Sequence, residues 1–144
     1  MQDQNYKNHS RIIPIYHYVL FGAILALMIG SVINLVESYQ AGEGLYSASL
    51  ICLLSVIVLL LGWFSRSFAI KAHDKAIRAE ENLRYFAITG KLLDSKLKIN
   101  QVVALRFAPN NEFVDLAHRA VAEDLSPKAI KQAIQNWKGD YHRV

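Results

Sequence analysis

The chain of 144 residues has one cysteine, Cys52, and it falls inside an apolar run. A disulfide scaffold is excluded, and with no partner and no basic neighbour the thiol reads as a small packing residue. Seven glycines form neither a GxGxxG turn nor a phosphate-binding GxxxxGK loop, and no Gly-x-Ser-x-Gly elbow exists. The histidines (His9, His17, His73, His118 and His142) share no HxxxH, HExxH or His/Cys spacing, so no zinc site is indicated. Charge is missing from most of the first half: 23 of the 28 Lys, Arg, Asp and Glu residues lie in 65–144. That asymmetry excludes a single soluble globule. No catalytic residue, metal ligand or cofactor site is singled out, and an enzyme is not expected.

In place of charge stand two apolar runs. Ile12 to Val36 carries no charged residue over 25 positions, and Leu45 to Phe64 none over 20. At about 1.5 Å per residue the first run makes a helix of roughly 37 Å, enough to cross a hydrocarbon core of about 30 Å with some tilt. Spans are expected at 12–36 and 45–64, joined by an external loop at 37–44. A cleaved signal peptide is the alternative for the first run, since Lys7 and Arg11 precede it. The run is too long for that, no small-x-small site closes it, and a second span follows.

Bases set the orientation. Lys7 and Arg11 precede the first run; Arg66, Lys71, Lys75 and Arg78 follow the second; the connector holds Glu37 and Glu43 and no base. Positive-inside asymmetry places segment 1–11 and everything after 64 in the cytoplasm. Tyr16, Tyr18, Tyr39, Tyr46, Trp63 and Phe64 at the run ends read as headgroup anchors. His17, among them, reads as a headgroup-level polar residue rather than a proton relay or haem ligand.

Two stripes suggest helix packing. Gly22, Ala26 and Gly30 recur at four-residue spacing in the first span, where small residues let backbones approach in lipid. The expected partner is the second span, which offers Ala48, Cys52, Ser55 and Gly62; an oligomer is the alternative. Beyond Phe64, Ala69, Ala72, Ala76, Ala79, Leu83 and Phe86 alternate spacings of three and four, a heptad seam. No Pro or Gly interrupts 65–89, so the second span is expected to continue as one helical extension over 65–90, ending near Ile88 with Gly90 as its stop. The seam implies a neighbouring helix; a solvated charged stalk is the alternative.

A helical module is expected over 91–144. Leu97 to Phe107 must end before Pro109. Asn110 or Asn111 caps a second helix with Glu112 in its first turn, and Phe113, Leu116, Ala117, Ala120 and Val121 form one apolar face. Ser126-Pro127 caps a third, which sets Ile130, Ala133, Ile134 and Trp137 on one side and ends at Gly139. The fold class is all-α: a two-helix transmembrane hairpin whose second helix extends into the cytoplasm, followed by a small helical module.

The opening Gln4-Asn5-Tyr6-Lys7-Asn8-His9, the run Gln101-Val102-Val103-Ala104-Leu105-Arg106-Phe107-Ala108, and the ending Ile134-Gln135-Asn136-Trp137-Lys138 through Asp140-Tyr141-His142-Arg143-Val144 resemble a bacterial domain-of-unknown-function family of small two-span membrane proteins. The resemblance implies a bacterial inner-membrane location and brings no activity, cofactor or catalytic residue.

These features point to an interaction protein, an accessory or assembly subunit of a larger membrane complex or a homo-oligomeric scaffold. Its expected partners are membrane lipids and other membrane subunits or itself. The contact residues singled out are Gly22, Ala26, Gly30, Ala72, Ala76, Ala79, Leu83, Trp137 and Tyr141. The alternative is a membrane-tethered nucleic-acid binder using 112–137 as a helix-turn-helix, prompted by the net charge of +5 over 65–144. Its reading helix offers only Lys128, Lys131, Gln132 and Gln135 outward and the turn holds no glycine, so nucleic acid is not the expected partner.

Overall fold

The computed structural model describes residues 4–6, 8 and 13–140, in two units: 11–68, and 69–144 together with 1–10. Among the described residues there are helices and no strands. Helix α1 is Phe21–Ala41, led in by a π-helical stretch, Ile15–Leu20; α2 is Leu45–Thr89; α3 is Ile99–Leu105, α4 Asn110–Ala122 and α5 Pro127–Ala133.

Glycine ends the long helices. Gly42 sits at φ +73° with its N–H on the Ser38 carbonyl, and Gly44 follows at φ +70°. The turn between α1 and α2 is therefore 42–44. Glu37, Ser38 and Gln40 are polar but do not stop a helix, whereas the left-handed turn needs residues without a Cβ. Gly90, at φ +72°, ends α2 one residue beyond the expected Ile88.

Helices Ile15–Ala41 and Leu45–Thr89 are long and apolar enough to cross a membrane, and only 11% of the most apolar 18-residue window of either is buried. A core helix of a soluble protein would have that window covered. The contacts that do form are sparse. Ile24 and Ser31 of α1 and Ala48 and Ser55 of α2 are buried. The Ser31 and Ser55 hydroxyls meet at 3.2 Å, and Ser55 Oγ also lies 2.7 Å from the Cys52 carbonyl, so one chain of donors satisfies both. Tyr16 donates its hydroxyl hydrogen to the Gly62 carbonyl at 2.6 Å.

In the second unit, Leu97, Val102, Leu105, Phe107, Phe113 and Ile130 are fully buried, and Tyr85 of α2 joins them. Each such side chain contributes about 1.5–3 kcal/mol by leaving water. Three helices of 7, 13 and 7 residues would be marginal separately, and they cohere by sharing this core. Gln101, buried at its edge, accepts the Lys98 N–H at 2.8 Å and donates to the Leu125 carbonyl at 3.0 Å, tying α3 to the α4–α5 turn.

Three local expectations change here. Ser126 does cap α5, accepting the Ala129 N–H at 3.1 Å with Pro127 behind it. The helix nevertheless ends at Ala133 and not at Gly139, because the Glu112 carboxylate takes the backbone N–H groups of Gln135 (2.9 Å) and Asn136 (3.0 Å). Trp137 thus lies beyond the helix, its ring 4.9 Å from that of Phe107. Asn110 is the first residue of α4, not its cap, and accepts from Arg84 Nε at 2.8 Å.

Candidate functional site

Within the second unit, α2 presents two faces. His73, Ile77, Glu81 and Tyr85 recur every four residues, and Ile77, Glu81 and Tyr85 are buried. Sequence spacing favoured the neighbouring stripe instead. Glu81 is only 5% exposed. Its partner is Arg84, at 3.0 Å. Arg84 also donates to the Ala108 carbonyl at 2.7 Å and stacks over the Phe113 ring at 4.3 Å. A buried carboxylate is tolerable here because its guanidinium partner is itself hydrogen-bonded and covered.

This buried face borders a cleft of about 440 Å³, lined by His73, Ile77, Glu80 and Glu81 of α2, by Arg106 just past α3, and by the segment 138–140. Arg106 Nε lies 3.2 Å from an Asp140 carboxylate oxygen, with both side chains largely covered. Lys138 N–H donates to the Phe107 carbonyl at 2.8 Å, and the Asp140 N–H donates to Gln4 Oε1 at 2.7 Å. His73 Nε2 is buried with no hydrogen-bond partner among the described residues. Arg106 and Asp140 are thus committed to each other, and the segment 138–140 forms one wall of the cleft. Among the described residues no three His, Cys, Asp or Glu side chains come together as a metal site.

The contact residues singled out from sequence fall elsewhere. Gly22, Ala26 and Gly30 are exposed, and a Cβ added at Gly22 or Gly30 would meet nothing within 4 Å. The face of α1 that meets α2 is the one bearing Ile24 and Ser31, while Ala48 and Ser55 of α2 are buried and Cys52 and Gly62 partly so. Packing chose the α1 face whose serine can pair with Ser55 and whose Ile24 fits Gly62, where a Cβ would lie 3.5 Å from Ile24 Cδ1. Ala72, Ala76, Ala79 and Leu83 are also exposed. Trp137 is half-buried, and Tyr141, like Lys7, His9, Arg11 and His142, lies outside the described residues. His17 is exposed, its Nδ1 2.9 Å from the Ile13 carbonyl.

The segment considered as a helix-turn-helix has a second helix of only seven residues. Lys131 lies over the Phe107 ring at 5.6 Å, and Gln135 is beyond the helix, which leaves Lys128 and Gln132 as exposed members of the outward set.

The model of a family of unknown function, DUF6526, matches residues 1–144. No curated protein matches the chain, and no solved structure does.

Proposed function

The chain belongs to that family of unknown function, so its residues must carry the functional reading, and we propose that it is a non-enzymatic integral membrane interaction protein of the bacterial inner membrane. It acts as an accessory or assembly subunit of a larger complex or as a homo-oligomeric scaffold. A transmembrane hairpin anchors it with both termini in the cytoplasm, and 69–144 is the presenting module.

The observation that supports this best is the apolar belt left uncovered. Leu25, Ile29, Val32, Ile33, Leu53, Leu54 and Leu61 are exposed along α1 and α2, while Tyr18, Tyr39, Tyr46, Trp63 and Phe64 are exposed toward the run ends. In water such a surface would drive aggregation; in hydrocarbon it costs nothing, and helices keep every backbone polar group satisfied. The module supports an interaction role, because its exposed surface includes the apolar side chains Leu83, Phe86 and Leu92.

The test is extraction and mass. The protein is expected to stay with membranes through alkaline carbonate, and in mild detergent to run as a protein mass above the 16.3 kDa of one chain. Release by carbonate overturns the membrane anchor. A particle holding one chain and no other protein overturns the interaction role.

A further inference from the structure

We infer that the seam on α2 is a homodimer interface, in which two copies of this chain pair in parallel over 69–86. The inference rests on the membrane reading above, since two chains anchored through the same helix must run side by side in the same direction.

The first support is exposure. With the module docked on Ile77, Glu81 and Tyr85, the adjacent stripe stays bare: Leu83 is 68% and Phe86 50% exposed, and Ala72, Ala76 and Ala79 are exposed between charged flanks. The helix therefore carries one face that its own chain covers and a second, apolar one that it does not. An apolar stripe of heptad period along an unbroken helix is the geometry that a second helix buries with its side chains in register.

The second support is charge. With Ala69, Ala76 and Leu83 at the first heptad position and Ala72, Ala79 and Phe86 at the fourth, Lys75 and Glu80 fall at the two positions that flank the seam. In a parallel pair, a residue at the seventh position of one heptad faces the fifth position of the next heptad on the partner helix. Lys75 of each copy then faces Glu80 of the other, and symmetry supplies the bond twice. Both side chains are exposed, and neither is in any of the four ion pairs among the described residues. An antiparallel pair would forfeit this match.

The third support is scale. Two and a half heptads, with alanine at four of the six seam positions, would be weak between free helices. Anchoring both helices in one membrane removes most of the cost of bringing them together, so a short seam suffices.

The experiment uses the full chain in native membranes, in a Cys52→Ala background with one cysteine added at a time and mild oxidation. Ala72→Cys and Leu83→Cys stand 11 positions apart on the seam, and Lys71→Cys stands off it. Disulfide-linked dimers are expected for both seam positions and not for Lys71→Cys. Only a parallel pair in register brings each of the two distant seam positions onto its own copy. Adding Lys75→Glu should lower the Leu83→Cys dimer yield about fivefold, the scale of two exposed pairs turned to repulsion, and Lys75→Glu with Glu80→Lys should restore it. Equal yields at all three positions, a dimer at only one seam position, or no rescue by the swap overturns the inference. A protein that remains in carbonate-washed membranes within a larger complex, yet forms no seam disulfide, overturns this inference alone. One released by carbonate overturns the membrane reading as well.

Discussion

Glu112 stands in the first turn of α4, where the helix dipole favours an acid, yet its oxygens are turned to the residues that follow α5. They accept the Gln135 and Asn136 N–H groups and the Asn136 side-chain amide, the last at 2.8 Å. Partial desolvation pushes this carboxyl up, but the bonds from Gln135 and Asn136 together outweigh it and hold the pKa below the ordinary carboxylate range. A folded-state pKa that is depressed adds stability above the unfolded value, and that contribution is lost as pH falls through the folded one. With Trp63→Phe leaving Trp137 as the reporter, its emission should stay constant from neutral pH to the usual carboxylate range of about 4 and shift red below it. Glu112→Gln should show the red shift already at neutral pH and a flatter acid limb. The Arg106–Asp140 pair is present in both proteins, so the difference between the two profiles belongs to Glu112. Identical profiles would detach Glu112 from the docking of the segment. The acid in the first turn of α4 was legible in sequence; that it would end a different helix was not, because only folding brings residue 112 to residue 136. Glu81 escaped for the same kind of reason. A charged residue on a charged helix reads as solvated until it pairs with Arg84, which Ala108 and Phe113 hold in place.

Among the elements, α5 shows how far local signals carry. Ser126 before Pro127 specifies the start, and seven residues leave the helix few other bonds to hold it. Ser126→Ala should cost about 1 kcal/mol and lower the thermal midpoint of the second unit by a few degrees, read by the same Trp137 signal. Ser126→Asp, which keeps a capping oxygen, should recover most of the loss. If both variants melt like the parent, the cap does not limit stability. The end of α5 carries no comparable local signal before Gly139, so apolar spacing alone extended it to Trp137. For α2 the length was readable, since no Pro or Gly intervenes before Gly90, but the choice of face was not. Ile77 and Tyr85 offer two large side chains to a core, whereas alanines at 72, 76 and 79 offer little area, and area decides burial.

At the scale of the whole chain the testable statement is sidedness. In a Cys52→Ala background, Glu43→Cys and Ser95→Cys both replace exposed residues. An impermeant thiol reagent should label the first in intact cells and the second only after lysis, as the basic residues after Phe64 and the acids Glu37 and Glu43 require. Labelling of Ser95→Cys from outside would reverse the orientation. The sequence by itself determined the helical class, the two apolar helices, the uninterrupted length of α2 and the glycines that end the long helices. These depend on composition and on residues within a turn or two of one another, so they are present before the chain folds. Tertiary structure alone decided which face of α1 meets α2, which face of α2 receives the module, where α5 stops, and that Glu81, Arg84, Arg106 and Glu112 are tied to backbone or to each other. Each of those outcomes is a competition between faces or partners distant in sequence, and it is settled by buried area and hydrogen-bond satisfaction, which exist only once the partners are in place.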